Sequence, residues 1–173
     1  EIKGKSIYNK RGQFLHVLLI ARDISKEREQ EETLKYLAYH DVLTSLPNRR
    51  MFVEQLELTI KRADEEKSPF AILLLDIDNF KQINDSYGHE IGDKVIIEFS
   101  SRISRVVGEH GLVARLGGDE FVILIKDFIN EEQVINTARQ INKLVKQNIL
   151  IQHTRLEITT SIGISICNGE TFT

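Results

Sequence analysis

Hydrophobic residues recur with strand periodicity in some stretches of residues 39–173 and with helix periodicity in others. Residues 70–75 form a short, uninterrupted apolar run, typical of a central strand that is covered on both faces. Apolar residues then recur at helical spacing over residues 91–106. Alternating stretches at 112–116 and 121–125 predict two strands joined by a tight hairpin turn.

Two further helices and one strand complete this pattern. Apolar residues at helical spacing over 52–63 predict a helix that begins after Pro47 and ends before Pro69. A capping-box sequence starting at Asn130 begins another helix, and a last strand is predicted at about 156–166. The order of these elements predicts an α+β fold in which helices cover a mixed or antiparallel sheet.

The first 38 residues have a different pattern. Residues 5–24 predict a hairpin, with turn residues at 9–12 and a strongly apolar second strand at 14–20. A lone hairpin is marginal in water, so its partner strands are expected upstream or on the rest of the chain. Residues 25–35 are mostly charged, with ion pairs at helical spacing, and predict a connector helix or a solvated linker.

Composition narrows the possible functions without identifying one. The 173 residues are 41% hydrophobic and 28% charged, which excludes disorder and low-complexity arrays. The net charge of −3 gives no general attraction to polyanions, and no apolar stretch is long enough to span a membrane. Cys167 is the single cysteine, so no internal disulfide forms. We therefore expect a cytoplasmic chain that itself contacts neither nucleic acid nor a membrane, and a membrane anchor farther upstream in the parent protein stays open.

Acidic residues stand where strands end, and they are the first chemical signal. Asp76 and Asp78 follow the buried strand, while Asp119 and Glu120 lie in the hairpin turn. If these strand ends are neighbours, three or four carboxylates converge, and their mutual repulsion favours a bound cation. Hard oxygen ligands suit Mg²⁺ together with substrate phosphates, which points to metal-assisted nucleotidyl transfer. The alternative is simple solvation or turn capping, which we favour for Asp78.

The loop predicted after residue 78 adds groups that suit a nucleotide. The Lys81 ammonium is placed to meet a phosphate, and an amide with a carboxylate can read the edge of guanine. Taken singly, each of these residues has a more common explanation. Lys81 would be a solvated lysine, Asn84-Asp85 a turn, and His89 a surface or capping histidine.

Three segments together resemble the GGDEF family of diguanylate cyclases. They are residues 41–50, residues 76–93 and the run Arg-Leu-Gly-Gly-Asp-Glu-Phe at 115–121, and the resemblance extends over about residues 37–166. It implies a fold like that of nucleotidyl cyclases and the polymerase palm. It also implies condensation of two GTP into cyclic di-GMP and two pyrophosphates, with one GTP held by each of two domains in a homodimer.

The resemblance also implies roles for individual residues. The implied metal ligands are Asp76, the backbone carbonyl of Ile77, Asp119 and Glu120. The last two are also the implied catalytic residues, and the cofactor is Mg²⁺ or Mn²⁺. The implied substrate-binding residues are Asn84 and Asp93 for guanine, and Asn79, Phe80, Lys81, Gly117 and Gly118 for the phosphates.

The chain departs from the family pattern at two places. The family's product-inhibition site is an Arg-x-x-Asp whose positions here are occupied by Gly108 and Gly111, so we expect no such inhibitory site. The family also has a further C-terminal helix with basic residues that reach the GTP phosphates, whereas this sequence stops at Thr173. We therefore expect a truncated domain with weak GTP binding or slow turnover.

A second, shorter resemblance covers the front of the chain. Residues 12–28 look like the last strands of a PAS sensor domain entering its signalling helix. The expected organisation is a PAS-like hairpin at 1–24, a signalling helix at 25–38 and a GGDEF domain at 39–173. The parent protein is then a bacterial sensory protein in which an upstream sensor changes how two cyclase domains face each other.

Three interpretations of the chain remain open at this point. An active cyclase is favoured because no carboxylate of the signature is missing. A catalytically weak or inactive domain that binds GTP to regulate a neighbour is the main alternative. An interaction or dimerisation module without nucleotide binding is the third, and it predicts no thermal shift with nucleotide.

Overall fold

The computed structural model describes residues 2–151 and 154–168, and the chain divides into compact units at residues 1–38 and 39–173. In the first unit, antiparallel strands β1 (Ile2–Tyr8) and β2 (Phe14–Ala21) form a hairpin, followed by helix α1 (Ser25–Tyr39). The apolar side chains of β2 are exposed on both faces of this two-stranded ribbon. The predicted hairpin and helix are thus present.

The second unit is built on a four-stranded antiparallel sheet with strand order β4-β5-β3-β8. A separate small hairpin is formed by β6 and β7. No helix in the described part of the chain is both long and apolar enough to cross a membrane. The elements in order are α2 (Arg49–Glu66), β3 (Phe70–Ile77), α3 (Phe80–Tyr87), α4 (His89–Val107), a short 3₁₀ helix (Gly108–His110), β4 (Gly111–Gly117), β5 (Glu120–Lys126), α5 (Glu131–Val145), β6 (Ile149–Ile151), β7 (Thr154–Leu156) and β8 (Thr160–Cys167).

Each face of the sheet carries its own hydrophobic core, because alternate residues of β3 point to opposite faces. Leu73 and Leu75 pack in the larger core with residues of α4 and α5, including Phe99 and Ile141. Phe70 lies in the smaller core with buried residues of α2 and β5. This arrangement confirms the predicted α+β class, with helices covering an antiparallel sheet.

Two parts of the secondary structure differ from the sequence-based prediction. The segment after β3, predicted as a loop, is helix α3, because Phe80 and Ile83 are spaced to pack together on the larger core. The single strand predicted at 156–166 is instead two elements, β7 and β8, separated by residues 157–159. The loop was predicted because the segment of α3 contains short polar residues that are common in turns. The single strand was predicted because apolar residues alternate without a clear break over 156–166.

A buried arginine fixes the end of α5 against α4. The Arg102 side chain is only 8% exposed, and its guanidinium also pairs with Glu98 at 2.8 Å. The carbonyls that accept hydrogen bonds from this guanidinium belong to Leu144, Val145, Gln147 and Asn148. The last carbonyls of a helix lack partners within the helix, so Arg102 satisfies them and stabilises the C-terminal end of α5.

Candidate functional site

Two strand ends bring the predicted carboxylates to one edge of the sheet. Asp76, near the end of β3, lies directly opposite Glu120 at the start of β5 and opposite Ser161 of β8 on its other side. Residues opposite each other in antiparallel strands share a face of the sheet. The carboxylates of Asp76 and Glu120 therefore project from the same face.

The hairpin turn between β4 and β5 depends on two glycines. Gly117 has φ 143° and Gly118 has φ 53°, both in the region that side chains disfavour. A register shift between Arg115 and Gly117 accompanies this turn. The backbone thereby turns within two residues and places Asp119 at the tip, next to the strand that carries Asp76.

Negative charge accumulates at this edge of the sheet, around Asp76. Burial raises the pKa of the Asp76 carboxyl, and the nearby charges of Asp119, Glu120 and Asp78 raise it further. Each of these causes disfavours the ionised form of Asp76. A cation bound at this edge would offset the accumulated negative charge.

The donor set fits a hard divalent cation that shares its coordination with a substrate. Asp76 and Asp119 offer carboxylate oxygens, and the Ile77 carbonyl lies at the end of β3. Across residues 2–151 and 154–168, however, no three His, Cys, Asp or Glu side chains lie close enough to hold a metal alone. The three or four carboxylates predicted to converge are thus close enough to influence one another's charge, but not close enough to hold a metal ion without further ligands. Mg²⁺ suits such a set, because it binds one or two carboxylates and completes its shell with phosphates and water.

Asp78 has a different role from Asp76. Its carboxylate accepts hydrogen bonds from the hydroxyls of Thr159 at 2.5 Å and Ser161 at 2.7 Å. These hydrogen bonds lower the pKa of Asp78, and burial opposes them only in part. The side chain thus joins the end of β3 to the start of β8, a structural role that it performs through hydroxyls of another segment and not by capping its own turn.

A salt bridge fixes the hairpin turn from outside the sheet. The Arg115 guanidinium donates to the carboxylate of Asp41 at 2.9 Å and to the backbone carbonyl of Gly118 at 2.7 and 3.0 Å. Burial acts to raise the pKa of Asp41, but hydrogen bonds from Thr44 and Arg115 outweigh it and lower the pKa. The backbone N–H of Arg115 also donates to the Pro47 carbonyl at 2.9 Å. The 41–48 turn therefore holds the carbonyl that precedes Asp119.

Substitution of this arginine tests its positioning role. Arg115→Lys keeps the charge but loses the planar fork that bridges Asp41 and Gly118. We expect the rate of nucleotide turnover to fall by about 10- to 100-fold, because misplacement of a reacting group by about 1 Å is sufficient for such a loss. Steady-state kinetics together with a thermal melt measures both effects.

The control for this substitution is Arg62→Lys, since Arg62 pairs with Glu66 and Asp127 on an exposed surface. We expect that variant to keep the wild-type rate. Equal turnover by Arg115→Lys and the wild type would contradict the positioning role of Arg115.

A second cation approaches the site from the N-terminus of α2. The guanidinium of Arg49 lies 4.0 Å from the Glu120 carboxylate, and both side chains are more than half exposed. An ion pair this exposed is weak and is readily exchanged for another anion. Arg49 also borders a cavity of about 450 Å³ whose lining includes Asp76, Glu120 and Leu74.

The residues predicted to bind phosphate lie where β3 leads into α3. Asn79 has left-handed backbone geometry, with φ 57°, and immediately precedes the first residue of the helix. Its carbonyl accepts the backbone N–H of Gln82 at 2.9 Å, which begins the first turn. Phe80 packs against the larger core, whereas Lys81 is exposed. Lys81 is thus near the carboxylate edge and accessible to an anion.

The residues predicted to bind guanine lie on two adjoining helices. Asn84 is on α3 and Asp93 on α4, and a single residue, Gly88, joins the helices. Asn84 Oδ1 is buried and has no hydrogen-bond partner among the described residues. It lies against Gly92, where an added Cβ would be only 1.9 Å away. The structure therefore brings Asn84 next to the turn of α4 that carries Asp93.

Two positioning elements were not assigned a role from the sequence. The Asp41–Arg115 pair joins residues far apart in the chain, and the signal that would have indicated Asp41 is the Asp-x-x-Thr spacing of a capped turn. Gly92 lies within the segment 76–93 that carries the family resemblance, and the sequence indicated no role for it. A glycine inside a helix with strong apolar periodicity is the signal that would have identified it.

Comparison with known proteins places these features in a family. The family model described as diguanylate cyclase, GGDEF domain, matches residues 38–173. The bifunctional diguanylate cyclase/cyclic di-GMP phosphodiesterase MucR of Pseudomonas aeruginosa is 40% identical over 134 residues, which cover 78% of this chain and 19% of MucR. The diguanylate cyclase TpbB of the same species is 35% identical over 158 residues, covering 90% of this chain and 36% of TpbB.

A solved structure shows the same similarity in three dimensions. The coiled coil and GGDEF domain of DgcB from Caulobacter crescentus, in complex with c-di-GMP, matches with a TM-score of 0.78 and 31% identity. The match covers 86% of this chain and 80% of that chain. The present chain thus spans a large part of the DgcB fragment but about a fifth to a third of the curated relatives MucR and TpbB.

Proposed function

Because the chain belongs to the GGDEF family of diguanylate cyclases, we propose that residues 39–173 condense two GTP into cyclic di-GMP and two pyrophosphates. The observation that carries this proposal is the pairing of Asp76 with Glu120, beside the glycine turn that bears Asp119. This acidic edge has a raised carboxyl pKa and an exposed lysine nearby, which suits a metal-bound triphosphate.

The proposed roles follow the position of each residue. Asp76, Asp119 and the Ile77 carbonyl hold the divalent cation, with Glu120 as a further acidic group. Asn84 and Asp93 bind the guanine base. Lys81 and the backbone at Asn79 and Phe80 bind the phosphates, and the absence of side chains at Gly117 and Gly118 lets the nucleotide approach the turn.

In the proposed reaction, the ribose 3′-oxygen of one GTP attacks the α-phosphorus of the other. A new phosphodiester bond forms as the bond to pyrophosphate breaks, and the hydroxyl proton leaves with a basic group or water. When bound, Mg²⁺ supplies neutralisation of triphosphate charge and a lower pKa for the attacking hydroxyl. The chain contributes orientation: the Arg115 contact fixes the turn that carries Asp119, and the α3–α4 pair fixes the base.

Two such reactions per product require two domains, each holding one GTP. We propose a homodimer in which the carboxylate edges of two copies face each other. The exposure of Asp76, Glu120 and Lys81 in one copy supports this arrangement, since these groups remain accessible to a second nucleotide.

The front of the chain is proposed to connect this activity to a sensor. Residues 1–24 correspond to a PAS-like hairpin and residues 25–38 to a signalling helix. The two exposed apolar faces of β2 support this proposal, because a central strand of a larger sheet has both faces covered in its complete domain. An upstream sensor would then alter the juxtaposition of two cyclase domains.

Feedback inhibition through the family's Arg-x-x-Asp site is proposed to be absent. A Cβ added at Gly111 would lie 2.7 Å from the Leu124 carbonyl and 2.9 Å from a Val107 methyl group. An aspartate in the second position of that motif therefore does not fit this backbone without a shift. Tight binding of cyclic di-GMP in titration calorimetry would contradict this proposal.

Product identification tests the proposed function most directly. Purified full-length protein is incubated with GTP and Mg²⁺, and the products are identified by mass spectrometry. We expect cyclic di-GMP with two pyrophosphates per molecule formed. GTP that stabilises the protein but remains unchanged would indicate a regulatory GTP-binding domain. No thermal shift with GTP would indicate an interaction module.

A further inference from the structure

We propose that Gly92 determines which base the site accepts, by fixing the orientation of the Asn84 amide. This inference rests on the proposed function, since it takes Asn84 and Asp93 as the base-binding residues. It concerns a buried glycine on α4, which has no side chain with which to contact a nucleotide. Gly92 is thus a positioning residue and not a catalytic one.

Close packing of α3 against α4 provides the first step. Gly88 joins the two helices with φ 82°, and its N–H donates to the Asn84 carbonyl at 2.8 Å. Gly92 is buried at this junction, where an added Cβ would lie 1.9 Å from Asn84 Oδ1 and 3.3 Å from Phe80 Cζ. The Asn84 oxygen therefore occupies space that any other residue at position 92 would fill.

The buried oxygen determines what the amide presents to a ligand. Asn84 Oδ1 is buried without a partner in the described residues. The proposal assigns the other end of the amide, Nδ2 with its two N–H groups, to the ligand. An amide free to rotate could either donate or accept. Held in this orientation, Asn84 is a donor only, and it matches an acceptor on the base.

This donor, together with the next residue on α4, discriminates between purines. The carboxylate of Asp93 accepts hydrogen bonds, so the pair presents one donor and one acceptor. Guanine offers a carbonyl oxygen and N–H groups on one edge. Adenine offers an amino group in place of that oxygen, which would leave two donors facing each other and unpaired. The fixed amide thus favours guanine over adenine.

The Gly92→Ala variant separates this role from folding. The atom that its Cβ would displace first belongs to the movable end of the Asn84 side chain, so we expect α4 to remain folded while the amide turns away. We expect KM for GTP to rise about 10-fold with kcat changed less than about threefold, the size of effect of losing one hydrogen bond to a base. The ratio of kcat/KM for GTP over ATP should fall by a similar factor.

Gly111→Ala is the matched control. Its Cβ also meets close neighbours, but these are the Leu124 backbone carbonyl on β5 and Val107, at the opposite end of α4 from Gly92 and Asp93. We expect this variant to lower the melting temperature and to keep the wild-type preference for GTP over ATP. An Asn84→Ala variant completes a cycle, because Gly92→Ala should have no further effect on base preference once the amide is gone.

Calorimetric titration of GTP and ATP with Mg²⁺ provides the second readout, and it does not require turnover. A loss of GTP preference in Gly92→Ala, abolished by prior removal of the Asn84 amide, supports the proposal. If the wild type prefers GTP over ATP and Gly92→Ala prefers it to the same extent, the role of Gly92 is overturned while the proposed function stands. Equal binding or no binding of both nucleotides by the wild type overturns the proposed function, and the role of Gly92 with it.

Discussion

Asp119→Asn is expected to abolish cyclic di-GMP synthesis, with a fall of at least about 10²–10³-fold, while the fold remains intact. Removal of one group that stabilises charge in a transition state has effects of this size. The substitution also removes one of the charges that raise the pKa of Asp76. We therefore expect no loss of thermal stability in the absence of nucleotide, and loss of the thermal shift that GTP with Mg²⁺ gives the wild type.

Asp78→Asn is the control for that prediction, because it removes a charge from the same edge of the sheet. The hydrogen-bond partners of Asp78 are the hydroxyls of Ser161 on β8 and of Thr159, just before β8. Asp78 therefore has a structural role, and we expect the variant to keep most of the synthesis rate. Product formation is followed by chromatography and stability by thermal melts. Full synthesis by Asp119→Asn, or equal losses in both variants, would contradict the assignment of Asp119 as a metal ligand.

Arg102→Ala is expected to have the largest effect on stability, about 2–4 kcal/mol of unfolding free energy. Its buried guanidinium donates to the last carbonyls of α5 and the following turn, and hydrogen bonds to charged groups contribute more than neutral ones. Alanine leaves these carbonyls without their charged donor and opens space between α4 and α5. Urea unfolding followed by circular dichroism measures the loss, and amide exchange locates it.

The control is Arg139→Ala on the exposed side of α5. Arg139 pairs with Glu132 at 2.7 Å, but both side chains are about two-thirds exposed. Exposed pairs contribute about 0–1 kcal/mol, so the change should be small. Similar losses in the two variants would show that Arg102 acts only as an ordinary surface charge, contrary to its assigned role.

The sheet of the second unit was predictable from the sequence because its strands are short apolar runs with clear ends. Residues 70–75 and 121–125 lie within β3 and β5, whose pairing forms the centre of the sheet. Helix α3 was missed because Asn84, Asp85 and Ser86 have low helix preference. Contact of Phe80 and Ile83 with the larger core outweighs that preference, and such a contact is visible only in three dimensions.

The candidate site could be predicted as a set of residues but not as a geometry. The acidic pattern pointed to Asp76 and Asp119, since carboxylates at two neighbouring strand ends are placed to converge. The contacts that hold the site residues in place could not be predicted from the sequence. Neither the Asp41–Arg115 contact nor the Asn84–Gly92 contact follows from local spacing in the sequence, because each depends on how separate elements pack.

The separation of Asp41 and Arg115 along the chain also has a consequence for the order of folding. The two residues are 74 positions apart. The hairpin of β4 and β5 needs only local contacts, whereas this salt bridge requires closure of a long loop. We expect the turn that carries Asp119 to become rigid after the β4–β5 hairpin has formed. In a refolding experiment, the circular dichroism signal should therefore recover before enzymatic activity does.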